Sequence, residues 1–194
     1  MSSIFYAFSK VTATLVLRTL WRMRVVGSER VPCEGPLIVA ANHVSYFDPP
    51  VLGCALPRPL HFMAKKELFD IPLLGALIRR YNAYPVDRGR GDVGAVKRTL
   101  AALKAGHAVL IFPEGTRNRD ESRGGESGVA LLASLSGARI LPAYIDGTRR
   151  LRLFSSIKVV FGEPFSVGDG EKASREDLAK RTDQVMKRIF ALRE

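Results

Sequence analysis

Apolar residues recur along this chain in two rhythms: short continuous runs, and stripes spaced three and four positions apart. The runs, bounded by turn formers, predict strands over 37–41, 60–64, 82–86, 108–112, 139–145 and 157–161. Helical spacing between them predicts helices over 49–55, 73–80, 93–105, 128–135 and 175–192. Val93, Val96, Leu100 and Leu103 form one stripe, which Gly106 ends. Ser174 and Asp177 form a capping box ahead of a last helix whose inward face is Leu178, Val185, Met186 and Ile189. Strands alternating with helices predict an α/β fold, a largely parallel central sheet flanked by helices. No internal repeat or interdomain linker interrupts the pattern.

Residues 1–24 stand apart. Their charges are all positive (Lys10, Arg18, Arg22 and Arg24), and the first acid is Glu29. On a helix Ile4, Phe8, Val11 and Leu15 share one face, widened by Phe5, Val16 and Leu20. The longest uncharged stretch after Lys10, residues 11–17, falls far short of the ~20 residues a spanning helix needs. No small-residue cleavage site follows it, so a secretory signal is not expected. Two readings stay open: an amphipathic membrane helix lying in one leaflet with Lys and Arg reaching toward headgroups, or a helix packed on the domain. The chain is accordingly divided into a membrane-associating helix over 1–24 and a domain over 25–194.

Composition adds little to the fold and more to the partner. A chain of 194 residues, 46% hydrophobic and 25% charged, is that of one ordinary globular domain. Two cysteines, Cys33 and Cys54, exclude a disulfide scaffold and point to a reducing compartment. Thirty Lys and Arg against nineteen Asp and Glu give a net charge of +11, which favours an anionic partner: nucleic acid, an acidic protein, an anionic membrane surface or a phosphorylated substrate. The chain has no basic low-complexity arm, zinc-finger spacing or aromatic RNA-binding consensus, so no nucleic-acid partner is expected. Its three histidines lack ligand spacing, so no metal site is expected either.

Two strand-end segments carry candidate chemistry. The strand over 37–41 runs into Asn42-His43-Val44-Ser45-Tyr46-Phe47-Asp48-Pro49. Pro49 suits a helix start, so Asp48 reads as the N-cap and His43 as a loop residue. On one continuous helix the two would lie about 140° apart, so only a loop that turns back joins them. Joined, they make a general base: the carboxylate fixes the ring tautomer and the other nitrogen takes a proton. With G-x-S-x-G absent, that proton is expected from a substrate hydroxyl. The plainer alternative is a structural N-cap beside an unrelated histidine. The second segment is Pro113-Glu114-Gly115-Thr116-Arg117. Gly115 permits dihedrals other residues avoid, Thr116 adds a hydroxyl, and Arg117 can grip a phosphate or carboxylate bidentately. Its alternative is a polar turn with solvated arginines. Both segments fall at carboxyl ends of strands, where open α/β sheets bind ligands. A nominal G-x-G-x-x-G spans Gly89 to Gly94, but no buried apolar run leads into it. Asp87 and Asp92 would set carboxylates beside a pyrophosphate, and Arg88 and Arg90 suit an anion site better.

Four blocks in order carry a family resemblance: Asn42-His43 with Asp48, Pro85-Val86-Asp87-Arg88, Phe112 through Arg117, and Leu141-Pro142-Ala143. With them the chain, from about Arg24 to Leu153, resembles the 1-acyl-sn-glycerol-3-phosphate acyltransferases. The resemblance implies a glycerol-phosphate-acyltransferase-like fold. It implies transfer of a fatty acyl group from acyl-CoA or acyl carrier protein to the free hydroxyl of a lysophospholipid, with 1-acylglycerol 3-phosphate the expected acceptor and phosphatidic acid the product. No cofactor, metal or covalent acyl-enzyme is implied. His43 would be the general base and Asp48 its orienting partner, while Arg88, Glu114, Gly115, Thr116 and Arg117 would bind the acceptor's glycerol phosphate. The implied location is the cytoplasmic face of a membrane, as a peripheral or monotopic protein. Two departures stand out. Asn82 occupies a position where glycine is common, and asparagine also tolerates unusual dihedrals. Glu126, in Gly125-Glu126-Ser127-Gly128, stands where relatives often carry a lysine. That acid keeps other acceptors open, a phosphate-free lysolipid or glycerol 3-phosphate itself. A reading of another class is a non-catalytic basic module that binds membrane or nucleic acid by charge alone.

Overall fold

The computed structural model describes residues 3–87, 92–114, 128–168 and 173–193. At its centre lies β2 (Leu37–Ala41), buried at every position because helices cover both of its faces, the usual situation of a parallel strand. Around it are β1 (Arg24–Val26), β3 (Leu60–Lys65), β4 (Ala83–Val86), β5 (Ala108–Ile111), β6 (Arg139–Asp146) and β7 (Lys158–Phe161), in the order β1-β7-β6-β2-β5-β3-β4. The five strands from β6 to β4 are parallel; β7 runs against β6, and β1 runs alongside β7. The sheet thus has two unlike rims, one where the five parallel strands end and one where they begin.

Alternate residues of each strand feed alternate layers. Val39, Leu110 and Leu141 face one cluster, which α2 (Asp48–Ala55) closes with Val51, Leu52 and Ala55. Ile38, Val109 and Ile140 face the other, closed by α4 (Val93–Lys104), α5 (Gly128–Ser136) and α6 (Arg175–Phe190). On the first layer α3 (Pro72–Arg80) follows the 3-10 turn Lys66–Phe69 and packs Ile78 near Phe69 and Ala83. The capping box forms, with Ser174 accepting from the Asp177 amide and Asp177 accepting from the Ser174 amide.

Every strand and helix expected between residues 37 and 192 is present, within a residue or two at each end, whereas the helix expected over 1–24 stops at Leu20 and Arg24 already belongs to β1. The periodic pattern misses β1, whose three residues are too few to show a rhythm. It also misplaces the face of α4. The buried positions are Ala95, Thr99 and Leu103, while Val93 and Val96 are exposed. Thr99 goes inward because its hydroxyl is satisfied there, donating to Ala95 O at 2.9 Å and pairing with Tyr84 Oη at 2.6 Å.

The N-terminal helix, α1 (Ser3–Leu20), packs against α2 with an unusual polarity. Its inner side carries Lys10, whose ammonium donates to Leu56 O, and Thr14, whose hydroxyl reaches Cys54 O at 3.5 Å. Leu17 and Trp21 continue that side into the core. Phe8, Val11, Leu15 and Val16 face outward. Lys10 therefore does not reach outward as expected. It serves the carbonyl end of α2, and burial lowers its pKa. Among the described residues no helix is long and apolar enough to cross a membrane.

Candidate functional site

The chain leaves β2 through Asn42, which extends the pairing with β6 by side chain once the backbone ladder ends at Ala41 and Ala143. Its Nδ2 donates to Ile145 O at 2.9 Å, and the Ile145 amide donates to its Oδ1 at 2.8 Å. This buried pair of hydrogen bonds fixes where the following loop departs. The loop then folds back on itself: the amides of Val44 and Ser45 both donate to Asp48 Oδ2 at 2.8 Å. That return brings His43 Nδ1 to 2.8 Å from the same oxygen.

Asp48 is not the N-cap the sequence suggests. It is the first residue of α2, with Phe47 at the cap position and no side chain capping the helix. Its carboxylate points back at amides preceding the helix, while Pro49 and Pro50 leave the first turn without N–H groups to cap. The negative charge still sits favourably in the first turn. A further donor arrives from a hundred positions along the chain, as Thr148 Oγ1 donates to Asp48 Oδ1 at 2.6 Å.

Asp48 is fully buried and His43 5% exposed. Two amides and a hydroxyl already donate to the carboxylate, which as an ion acts only as acceptor, so in the contact with Nδ1 the proton is assigned to the imidazole. Nε2 is then the basic nitrogen, the arrangement that lets a histidine take a proton from a hydroxyl. The ring plane is set by Phe112, stacked at 3.9 Å between centroids and 13° between planes. Phe112 follows β5 and precedes Pro113 and Glu114, so the second candidate segment starts beside the first. The structure thus joins His43, Asp48 and the beginning of the Pro113–Glu114 turn on one rim. Arg88, Gly115, Thr116 and Arg117 lie outside the described residues, as does Glu126.

Sequence reasoning named Asn42 without a role and did not find Thr148 or the stacking of Phe112. Nothing local marks Thr148, since its partner is remote in sequence. Asn82 does take the left-handed conformation, at φ +62°, that its glycine-like position implied. Asp92 in the nominal glycine motif caps α4 instead, accepting from the Ala95 amide, and the Asp87 amide foremost holds its pKa down. The remaining histidines, His61 and His107, stack on each other at 4.5 Å where β3 and β5 begin, across the sheet from His43. No group of three or more potential metal ligands occurs among the described residues.

Comparison with known proteins gives consistent results. A family model described as Acyltransferase matches residues 22–146. The 1-acyl-sn-glycerol-3-phosphate acyltransferase of Bacillus subtilis is 31% identical over 192 residues, covering 96% of each chain. The lyso-ornithine lipid O-acyltransferase of Pseudomonas aeruginosa is 36% identical over 116 residues, 59% of this chain and 44% of that one. Among solved structures, the 1-acyl-sn-glycerophosphate acyltransferase PlsC of Thermotoga maritima aligns with a TM-score of 0.72 at 30% identity, over 97% of this chain and 78% of that one.

Proposed function

The chain belongs to the acyltransferase family, and we propose that it moves a fatty acyl group from acyl-CoA or acyl carrier protein to the free hydroxyl of 1-acylglycerol 3-phosphate. The observation that carries this reading is the buried His43–Asp48 pair, held at 2.8 Å on the rim where the parallel strands end. His43 Nε2 takes the proton of the acceptor hydroxyl as its oxygen attacks the thioester carbonyl. The tetrahedral intermediate collapses by breaking the carbon–sulfur bond, and the imidazolium returns the proton to the departing thiolate. Asp48 keeps the ring in the tautomer this requires and stabilises the imidazolium. Arg88, Glu114, Gly115, Thr116 and Arg117 are assigned to the acceptor's glycerol phosphate, Arg117 and Arg88 through charge-assisted bonds. The reaction so written calls on no cofactor or metal.

Membrane association belongs to the same proposal. Residues 1–24 are assigned as a membrane-associating segment and 25–194 as the acyltransferase domain, peripheral or monotopic on the cytoplasmic face. The outward Phe8, Val11, Leu15 and Val16 of α1 support it, because exposed large apolar side chains on a helix that also exposes Arg18 suit a membrane surface.

A second reading of the acceptor, a phosphate-free lysolipid, is favoured by Glu126 and by the likeness to a lyso-ornithine lipid acyltransferase. Glycerol 3-phosphate is the remaining alternative. Offering a panel of these acceptors to the pure enzyme with labelled acyl-CoA separates the three. With the preferred acceptor, His43→Ala is expected to lower kcat by about 10²–10⁴-fold. Undiminished turnover would end the general-base assignment.

A further inference from the structure

Large apolar side chains are exposed unevenly over the two rims. Tyr46 and Phe47 follow β2, Ile71 and Leu73 follow β3, and Leu153 and Phe154 follow β6. All three pairs therefore lie on the carboxyl rim, around the His43–Asp48 pair. Single exposed apolar residues are ordinary, but a ring of them about a site marks a contact surface.

The loop over 147–157 is the clearest member, because its outward tip is built rather than frayed. Thr148 is bound to Asp48, Leu151 packs on the core, and Ile157 is fully buried. The Phe154 amide donates to Leu20 O at 2.8 Å and the Ile157 amide to Trp21 O at 3.0 Å, tying the loop to the end of α1. From this fixed frame Leu153 and Phe154 project 60% and 59% exposed. Phe154 does so at φ +64°, a conformation that costs an aromatic residue energy and is held here by the bond from its amide to Leu20 O. Arg149, Arg150 and Arg152 flank the tip, exposed and without an ion pair among the described residues.

We propose that this loop, with the 44–47 loop on the other side of Asp48, rests the catalytic rim on an anionic lipid bilayer. Leu153 and Phe154 enter the boundary between headgroups and acyl chains, while the three arginines face lipid phosphates. Charge complementarity selects the bilayer, and the tether to Leu20 places the tip at the end of the helix whose own outward face is apolar. The same carboxylate is gripped by both loops, through Val44 and Ser45 at Oδ2 and Thr148 at Oδ1. Docking and catalytic geometry thus share one anchor. The inference rests on the lipid-acyltransferase reading above and adds to it a second contact beyond α1.

The test is cosedimentation of the full chain with phosphatidylcholine vesicles, with and without phosphatidylglycerol. Phe154→Asn places a residue at ease with positive φ in that position, so Tm should hold or rise while the partition coefficient falls about tenfold. Leu135→Ser, at an exposed site on the opposite rim, should leave partitioning unchanged. Arg149→Gln with Arg150→Gln should weaken binding only to the phosphatidylglycerol vesicles, and salt should erase the difference. Wild-type partitioning by Phe154→Asn, or an equal loss in Leu135→Ser, would overturn the proposal. So would arginine variants that bind vesicles normally but use acyl carrier protein poorly, since the surface would then belong to that protein. A wild-type chain that binds vesicles as described yet transfers no acyl group to any acceptor would refute the acyltransfer reading alone.

Discussion

The two rims of the sheet use the same device to different ends. On the amino rim Arg58, half-buried, donates to the carbonyls of Pro32 at 3.0 Å, Gly35 at 3.0 Å and Gly106 at 2.6 Å, and so staples three turns together. On the carboxyl rim Asp48, fully buried, gathers two amides, a hydroxyl and an imidazole. Each is a charged group surrounded by backbone or side-chain partners that offset its burial. The difference lies in what is left over. Arg58 spends its donors on carbonyls that have no further chemistry. Asp48 spends one of its acceptor sites on a ring whose other nitrogen is left over, the group proposed above as the general base.

The turns of the two rims should respond unequally to one added methyl. Gly147, between β6 and the 147–157 loop, sits at φ +84°, and a Cβ there would lie 2.0 Å from Ser156 O. Gly137, between α5 and β6 on the amino rim, sits at φ +65° with nothing within 4 Å of a Cβ. Gly137→Ala meets backbone strain alone, about 1 kcal/mol. Gly147→Ala adds a clash with backbone at the neck of a loop that holds Asp48, raising the total to about 3 kcal/mol. Thermal unfolding should show a drop of ~6–12 °C for Gly147→Ala and ~2–4 °C for Gly137→Ala. Only the former should also reduce turnover; equal effects on Tm would mean that the two turns are equivalent.

A smaller substitution tests whether Thr148 positions the dyad or merely packs. Thr148→Val keeps the shape and removes the donor to Asp48 Oδ1, a charge-assisted bond with a net value of about 1.5–3 kcal/mol. If the bond orients the carboxylate, kcat should fall about tenfold with the acceptor KM unchanged, and Thr148→Ser should restore it. A packing role would leave kcat intact and make Ser, which lacks the methyl, the worse replacement.

These residues also mark how far the sequence could be read. The alternation of strands and helices and the capping box were legible because each is a local rhythm or a short motif. His43 and Asp48 were legible as a pair only on the condition that the intervening loop turned back. That condition is met by the Val44 and Ser45 amides, which every sequence possesses and none advertises. Asn42 and Thr148 act through β6 and the loop beyond it, about a hundred positions away, and single-sequence spacing carries no such information. The face of α4 failed for a related reason. Thr99 counts as polar in any periodicity, yet a hydroxyl that finds Ala95 O and Tyr84 Oη can be buried while Val93 stays in solvent.

The faintest expected effect belongs to the amino rim and would show how far the two ends are independent. Burial, and secondarily the facing His107 ring, push the pKa of His61 down to about 4 from 6.5. Between those values the unfolded chain binds a proton that the folded chain refuses. Stability therefore falls as pH drops through 6.5 toward 4 and is flat with respect to this group above that window. Because His61 is only half-buried, solvent screening cuts the contribution to about 1 kcal/mol, a few degrees in Tm. His61→Gln removes the titrating group, so its Tm should decline less than the wild type's between pH 7 and pH 4.5, read by calorimetry at matched ionic strength. The pH dependence of kcat should be the same in both, since His43 lies on the opposite rim. A His61→Gln chain with an unchanged acid slope would clear His61 of the effect, and one with a shifted kcat profile would show that the rims are coupled through β3 and β5.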